Sequence, residues 1–251
     1  MSACELSGRV ALITGSGCGI GLAVAKRFTQ DGASVILADI KGDVAKTAAE
    51  DLARSGHIAI GLACDVSDPE EVDQMMGAVI EKFGKLDILF NNAGIMGKSA
   101  PLWELEDKDW HEVISVDLTS MFYVCRAAIK HMRSRGSGCI INMSSIAGKE
   151  GTPRLIPYST AKAGIIAFTK ALGKEVIKEG IRVNCVAPAI IETPLLDQLP
   201  QEAIDLMLSK APMGRFGTAD EVAAVVHFLA SDAASFITAQ CFDVSGGRAT
   251  Y

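Results

Sequence analysis

The chain has 251 residues, of which 49% are hydrophobic and 22% are charged, so it can form a folded core and is unlike a disordered chain. Its formal net charge is −6, and its Lys and Arg residues are scattered, which argues against a nucleic-acid-binding surface. The seven cysteines are isolated, without C-x-x-C spacing. We therefore expect reduced thiols and no metal site.

No stretch of the sequence has the length and apolarity of a membrane-spanning helix. The residues that follow Met1 lack the pattern of a signal peptide. We therefore expect a cytoplasmic protein with no membrane partner and no nucleic-acid partner. The length allows one large α/β domain or two small ones.

In the first half, short β-type runs alternate with amphipathic stretches, a pattern typical of parallel βα units. Asp68 followed by Pro69 has the pattern of a helix start, with Asp68 as the N-cap. The predicted strands are residues 9–14, 34–39, 57–62 and 86–90, and the predicted helices are about 20–30, about 44–54 and one that begins near 68.

The second half continues this alternation. It predicts helices at about 117–134, around residues 158–162 and at about 219–230, strands at 139–143, 181–186 and 240–244, and an irregular region from 187 to about 216. No linker or repeat divides the chain, so the prediction is one α/β domain over residues 1–251, a doubly wound, Rossmann-type parallel sheet of about seven strands. The segment of about 189–216 is long enough to be a lid over a ligand.

A glycine-rich turn, Thr14 to Gly21, follows the first strand and opens the first helix. Backbone amides at such a helix start can bind a pyrophosphate. Asp39 ends the second strand about twenty residues further on, where a carboxylate can accept hydrogen bonds from an adenosine ribose. A 2′-phosphate at this place would meet like charge, at a cost on the order of 4 kcal/mol at 4 Å, although Lys41 could offset it. The pattern therefore favours NAD.

Tyr158 and Lys162 stand four residues apart, so they lie on one face of a helix. An ammonium near a phenol favours the phenolate, with an energy of about 4 kcal/mol at 4 Å and an effective dielectric of 20. The pair is therefore suited to acid-base catalysis. Ser145 lies upstream, where its hydroxyl could hold a substrate oxygen.

These motifs resemble those of the short-chain dehydrogenases/reductases over almost the whole chain, in order and in spacing. The resemblance implies a nicotinamide-dependent oxidoreductase in which Ser145, Tyr158 and Lys162 are catalytic and Asp117 completes a proton relay to the lysine. Asp117 stands where the family usually has asparagine, and Ala189 and Ala239 replace family glycines. The cofactor contacts implied by the resemblance and the turn are Gly15, Ser16, Cys18, Gly19, Ile20, Gly21, Asp39, Ile40, Asp65, Val66, Asn91, Ala93, Gly94, Tyr158, Lys162, Pro188, Ile191 and Thr193.

The substrate is predicted to be a small polar secondary alcohol or its ketone, bound by Ser145 and Tyr158. Lys98 and Arg154, with Lys149 near them, suggest an anionic or polyhydroxylated compound such as a sugar acid, although solvated surface charges would give the same pattern. An NADPH-dependent 3-oxoacyl-thioester or ketone reductase is the alternative enzyme. An inactive dinucleotide-sensing protein is the alternative from another class, and Asp117 is the feature that favours it. The resemblance also implies a homotetramer built on the helices at about 117–134 and 158–177.

Overall fold

The computed structural model describes residues 5–192 and 201–249. Their centre is one sheet of seven parallel strands, in the order β3-β2-β1-β4-β5-β6-β7. This confirms the predicted doubly wound α/β fold. The strands are β1 (Val10–Thr14), β2 (Ser34–Asp39), β3 (Ala59–Ala63), β4 (Ile88–Asn91), β5 (Gly138–Met143), β6 (Ile181–Pro188) and β7 (Cys241–Val244).

Helices pack on both faces of the sheet and cover two apolar clusters, one on each side. The strands are nearly continuous apolar runs because parallel strands are covered on both faces. The helices are α1 (Gly19–Gln30), α2 (Gly42–Arg54), α3 (Pro69–Phe83), α4 (Asp107–Val113), α5 (Ser120–Arg135), α6 (Ala147–Glu150), α7 (Ile156–Val176), α8 (Gln201–Leu208) and α9 (Ala219–Ala230).

Local sequence signals account for several helix ends. Asp68 caps α3 by accepting hydrogen bonds from the backbone N–H groups of Glu70 and Glu71, with Pro69 in the first turn, as predicted. Gly84 ends the same helix in the left-handed conformation, with φ of 70°. Thr218 and Glu221 form a capping box at the start of α9.

Two predicted boundaries are wrong. The helix predicted at about 117–134 begins ten residues earlier, because α4, a π-helical turn (Ile114–Thr119) and α5 run on without a break from Asp107 to Arg135. The carboxylate of Asp109 accepts a hydrogen bond from the backbone N–H of Glu106 and fixes this earlier start. The region predicted as irregular contains the end of β6 and helix α8.

The order of the strands decides where a ligand can bind. β1 and β4 are neighbours, and the chain goes outward from them in opposite directions, to β2 and β3 on one side and to β5, β6 and β7 on the other. A crevice opens at the carboxyl ends of the strands at such a reversal. The glycine-rich turn follows β1, and the segment that begins with Asn92 follows β4, so both lie at this crevice. Within the described ranges, no helix is both long enough and apolar enough to cross a bilayer.

Candidate active site

The glycine-rich turn is packed so closely that side chains are excluded at two of its positions. A Cβ on Gly15 would lie 2.7 Å from the Cα of Ala93, and a Cβ on Gly21 would lie 2.5 Å from the carbonyl oxygen of Gly15. Gly15 and Gly19 also have positive φ values of 59° and 57°, which glycine adopts without strain. Glycine is therefore required by the shape of the turn, which brings the start of α1 against the segment after β4.

The side chain of Asn92 ties the turn to the neighbouring strand. Its Nδ2 donates to the carbonyl oxygens of Thr14 at 3.0 Å and Gly15 at 2.7 Å. The hydroxyl of Thr14 in turn accepts from the backbone N–H groups of Asn92 at 3.1 Å and Ala93 at 3.2 Å. Asn92 is not among the predicted cofactor contacts. Its position next to Asn91 was the available signal.

The other predicted residues of the turn point in different directions. Ser16 is fully buried, and its hydroxyl donates to the carbonyl oxygen of Ile13 at 2.8 Å, so its side chain supports the turn. Cys18 is exposed and directly precedes α1. Ile20, in the first turn of α1, lines the cavity described below.

Asp39 lies at the end of β2 beside this turn. One carboxylate oxygen accepts from the backbone N–H of Gly17 and the other from the backbone N–H of Lys41, both at 3.0 Å. The two contacts fix the orientation of the carboxylate, and each oxygen keeps a lone pair free for a further donor. A pair of ribose hydroxyls is such a donor, so Asp39 fits its predicted role. Ile40, the next residue, is 68% exposed.

Two of the predicted cofactor contacts that follow β3 and β4, Asp65 and Asn91, are also ordered by hydrogen bonds. The carboxylate of Asp65 accepts from the backbone N–H and the hydroxyl of Ser67, while Val66 is buried. Asn91 lies inside the sheet, where its Nδ2 donates to Oδ1 of Asn142 at 3.0 Å. The same nitrogen also lies 3.1 Å from Sγ of Cys125. The amide nitrogen of Asn91 is thus occupied within the core.

The predicted catalytic residues meet in one cavity of about 430 Å³ at the carboxyl edge of the sheet. Ser145 follows β5, and its hydroxyl accepts from the backbone N–H of Ala147 at 3.1 Å. Tyr158 and Lys162 project from α7, and Nζ of Lys162 lies 5.4 Å from the centroid of the Tyr158 ring. The lining residues are Ile20, Asn92, Gly94, Ile95, Met96, Met143, Ser144, Ser145, Tyr158, Lys162, Pro188, Ala189 and Ile191.

Lys162 and Asp117 form a buried ion pair, with Nζ 3.0 Å from Oδ2 and side chains that are 3% and 0% exposed. The same ammonium donates to the carbonyl oxygen of Met143 at 3.2 Å. The other oxygen of Asp117 accepts from the backbone N–H of Ile95 at 2.8 Å. Asp117 lies on the π-helical turn, a feature often found at functional sites. The departure from the family's asparagine therefore places a carboxylate directly on the lysine.

Ser144, for which no role was predicted, and Gly94, predicted as a cofactor contact, also support this arrangement. The hydroxyl of the buried Ser144 donates to the carbonyl oxygen of Lys162 at 2.8 Å and anchors α7 to the end of β5. Gly94 leaves room for the ion pair, because a Cβ there would lie 3.1 Å from Nζ of Lys162 and 3.2 Å from both oxygens of Asp117. No sequence pattern names either contact.

The basic residues predicted near the substrate lie outside the cavity lining. Nζ of Lys98 contacts the carbonyl oxygen of Glu104 at 3.1 Å and the carboxylate of Asp109 at 3.3 Å. Lys149 pairs with Asp243 at 2.9 Å. Arg154 is exposed and has a left-handed backbone, with φ of 70°. Thr193, a predicted cofactor contact, lies outside the described residues.

Comparisons with known proteins agree with this geometry. Residues 15–249 match a family model described as Enoyl-(Acyl carrier protein) reductase. A relative from Sphingomonas sp. (strain SKA58), 2-dehydro-3-deoxy-L-rhamnonate dehydrogenase (NAD(+)), is 45% identical over 98% of this chain and 97% of its own. A 3-oxoacyl-acyl-carrier-protein reductase from Thermotoga maritima is 39% identical over 97% of this chain and 98% of its own.

Among solved structures, NAD+-bound xylitol dehydrogenase superposes with a TM-score of 0.94 and 32% identity, covering 97% of this chain and 100% of that one. The sheet and the Ser, Tyr and Lys side chains in one cavity define an oxidoreductase of the Rossmann type. The chain belongs to the short-chain dehydrogenase/reductase family.

Proposed function

We propose that this protein is an NAD-dependent dehydrogenase of a small polar secondary alcohol. The observation that carries the proposal is the single cavity that holds the side chains of Ser145, Tyr158 and Lys162. The cavity shares its wall with Ile20 of the first helix, whose turn lies beside the fixed carboxylate of Asp39. Polar groups for the reacting carbon and a carboxylate for the adenosine ribose are thus arranged along one crevice.

The residues divide the chemistry between them. The hydroxyl of Ser145 donates a hydrogen bond to the substrate oxygen and holds the alcohol at the edge of the sheet. The phenol oxygen of Tyr158 takes the proton of the alcohol in oxidation and returns it in reduction. When bound, NAD supplies the acceptor for the hydride that leaves the adjacent carbon. The ammonium of Lys162 lies 5.4 Å from the centroid of the Tyr158 ring and places a positive charge beside the phenol.

Asp117 adds a feature of this chain's own to that scheme. Its carboxylate contacts the ammonium of Lys162 directly at 3.0 Å and so fixes the position of the ammonium next to Gly94. The same negative charge offsets part of the field that Lys162 exerts on Tyr158. We propose that the role of Asp117 in the proton relay is to fix the position of the Lys162 ammonium.

For the substrate class we propose a hydroxy acid derived from a sugar. The support is the 45% identical relative named as a dehydrogenase of 2-dehydro-3-deoxy-L-rhamnonate. Ala100 N–H donates to the carbonyl oxygen of Arg154 at 3.0 Å, so the segments that carry Lys98 and Arg154 adjoin each other. Of these two predicted substrate contacts, Arg154 is the better candidate for a carboxylate, since the ammonium of Lys98 already contacts Asp109.

The two alternatives differ from this proposal in testable ways. A 3-oxoacyl-thioester reductase is supported by the 39% identical relative, but the carboxylate of Asp39 opposes the 2′-phosphate of NADPH. An inactive sensor of dinucleotides is opposed by the presence of Ser145, Tyr158 and Lys162 in one cavity. It predicts cofactor binding without turnover.

The test is a titration of NAD and NADP against a panel of sugar acids, polyols, hydroxy acids and cyclic alcohols, followed by the absorbance of the reduced cofactor. We expect turnover with NAD and a sugar-derived hydroxy acid. A clear preference for NADPH over NADH in a parallel assay, in which a 3-oxoacyl thioester is reduced, would establish the first alternative. Tight NAD binding without oxidation of any alcohol in the panel would establish the second.

We also propose a homotetramer in the cytoplasm. The support for assembly is a cavity of about 460 Å³ between α5 and α7, lined by apolar groups that include Phe122, Phe168 and Leu172. The support for a reducing compartment is that the described cysteines are free thiols. Light scattering of the purified protein tests the subunit number, and a mass of one or two chains would reject the tetramer.

The lid predicted at about 189–216 includes residues 193–200, which lie outside the described residues. We propose that its described parts, 189–192 and 201–216, cover the substrate. The support is that the segment is held at its described ends, where Ile191 bridges to Gly217 and Met213 N–H donates to the carbonyl oxygen of Gly246 at 3.0 Å. Limited proteolysis with and without NAD tests the proposal. Protection of this segment by NAD is expected, and equal cleavage in both states would reject the lid.

A further inference from the structure

Two cysteines of the last strands lie side by side. Cys185 of β6 and Cys241 of β7 are partners in the parallel register, so their side chains point to the same face of the sheet. Neighbouring strands are about 4.8 Å apart, and a disulfide joins Cα atoms that are roughly 4.4–6.8 Å apart. Both residues are free thiols, and their side chains are hydrogen-bonded to each other.

The two thiols differ in environment. Cys185 is fully buried, whereas Cys241 is half-buried on β7. The thiol of Cys185 donates a hydrogen bond that lowers the pKa of Cys241, and the ammonium groups of Lys149 and Lys170 act in the same direction, against burial and the carboxylate of Asp243. The same hydrogen bond, together with burial, raises the pKa of Cys185. One thiol is therefore suited to be the attacking thiolate and the other to be its proton-bearing partner.

The other described buried cysteines lack this arrangement. Burial raises the pKa of Cys64 and Cys125 to about 12, and it raises the pKa of Cys139 as well. A thiol that stays protonated at neutral pH is a poor nucleophile. These three cysteines serve as an internal comparison for the pair.

We propose that Cys185 and Cys241 form an oxidisable thiol pair that closes to a disulfide with hydrogen peroxide. The thiolate of Cys241 attacks one peroxide oxygen, the O–O bond breaks, and with one proton the products are a sulfenic acid on Cys241 and water. The thiol of Cys185 then attacks the sulfenic sulfur, and the S–O bond breaks. Hydroxide leaves and takes the thiol proton as a second water. The two thiols lose two electrons, and the peroxide is reduced to two waters.

The position of the pair gives such a bond a place next to the active site. Asp243, two residues after Cys241 on the same strand, holds Lys149 in an ion pair at 2.9 Å. Lys149 lies in α6, four residues after Ser145. On the other side, the hydroxyl of Thr169 interacts with Cys185 and accepts a hydrogen bond from Asn142. The pair therefore adjoins contacts that support the catalytic edge of the sheet.

The test is treatment of the intact protein with a small excess of hydrogen peroxide, followed by alkylation of the remaining thiols and peptide mass mapping. We expect the peptides of Cys185 and Cys241 to be recovered as one cross-linked species, about 2 Da below the sum of the two reduced peptides. Dithiothreitol should restore both thiols. Cys64, Cys125 and Cys139 should stay reduced at the same dose of peroxide and be recovered as alkylated peptides. Because Cys18 is exposed, the experiment is repeated in a Cys18→Ser background to remove a competing thiol.

Single variants assign the order of attack. Cys185→Ser should leave a sulfenic acid on Cys241 that dimedone captures, whereas Cys241→Ser should leave Cys185 reduced. If the buried substitution prevents folding, the experiment on the unmodified chain still decides. Full alkylation of both cysteines after a dose of peroxide that oxidises Cys18 would overturn the proposal. A disulfide between either cysteine and any third one would also overturn it.

Discussion

The two sides of the sheet hold their functional groups by different means. On the side of β1, β2 and β3, the glycine-rich turn and Asp39 are fixed mainly by backbone groups, such as the N–H groups of Gly17 and Lys41. On the side of β4, β5 and β6, the groups are fixed by buried side chains, above all the ion pair of Lys162 with Asp117. The first region depends on shape, and the second depends on matched charges.

This difference determines how each region responds to substitution. Where backbone atoms meet at close range, the smallest added side chain causes a steric clash, whatever its polarity. Where two charges are buried together, removing one leaves the other without compensation, which costs more than a lost exposed ion pair. The substitutions below test this contrast, beginning with the largest expected effect.

Replacing the phenol oxygen tests the reacting centre itself. We expect Tyr158→Phe to lower kcat by about 10²–10⁴-fold, since the side chain can no longer transfer a proton. NAD binding, measured by fluorescence titration, should remain within about threefold, because the ring that forms part of the cavity wall is kept. An unchanged kcat would remove Tyr158 from the mechanism and leave only its packing role.

Removing the partner of Lys162 tests the region held by charge. We expect Asp117→Ala to lower the free energy of unfolding by about 3–5 kcal/mol, because a buried ammonium is left without its carboxylate. Urea unfolding measures the effect. Asp51→Ala is the matched control, since Asp51 pairs with Arg54 at the surface, where both side chains are more than half exposed. Its effect should stay below about 1 kcal/mol, and equal losses in the two variants would contradict the contrast.

Adding one methyl group tests the region held by shape. In Gly21→Ala the new Cβ would lie 2.5 Å from the carbonyl oxygen of Gly15 and 2.8 Å from Cα of Ser16. We expect a loss of about 1–3 kcal/mol in unfolding free energy, together with a raised KM for NAD. Gly77→Ala is the control, since nothing lies within 4 Å of its Cβ position in α3.

This control should stabilise the protein by roughly 0.5–1 kcal/mol, because alanine is the better helix former. A Gly21→Ala variant as stable as the parent would show that the turn can move away from the strand. The region would then not depend on close backbone contact.

Neutralising the carboxylate at the end of β2 tests cofactor choice. Asp39→Asn keeps one carbonyl oxygen for the backbone donors but removes the negative charge that opposes a 2′-phosphate. We expect the ratio of kcat/KM for NADP to kcat/KM for NAD to rise by at least about tenfold, a value below the unscreened estimate because Asp39 is partly exposed. If the ratio does not change, Asp39 plays no part in the choice between the cofactors.

The sequence predicts the first region more completely than the second. Glycine spacing and a carboxylate at a strand end report backbone geometry directly, so Gly15 and Gly21 could be placed in one turn, and Asp39 beside it, from their order alone. The family resemblance also brought Asp117 near Lys162. Their direct contact could not be predicted, because Asp117 lies in a π-helical turn (Ile114–Thr119) that no sequence pattern indicated.

The same limit applies to the charged residues near the substrate. Lys98, Lys149 and Arg154 fall in or beside segments expected to face the substrate, but whether each one binds the substrate depends on which carboxylate it meets in the fold. Asp109 contacts Lys98 because the helix begins at Asp107. The sequence predicted a later start, at about residue 117. Asp243 meets Lys149 across 94 residues of sequence. Long-range pairing of this kind leaves no local pattern.

Substitution of Lys98 has the smallest expected effect. It tests whether the ammonium binds an anionic substrate or only pairs with Asp109. Lys98→Met keeps the length of the side chain and removes the ammonium, whose contacts are Glu104 and Asp109. Because this ion pair is partly exposed, we expect the KM of an anionic substrate to change by less than about threefold. Arg154→Met, the paired variant, should raise that KM by more, while neither should alter the KM of an uncharged alcohol. A larger effect at Lys98 than at Arg154 would show that the lysine leaves Asp109 to bind the substrate.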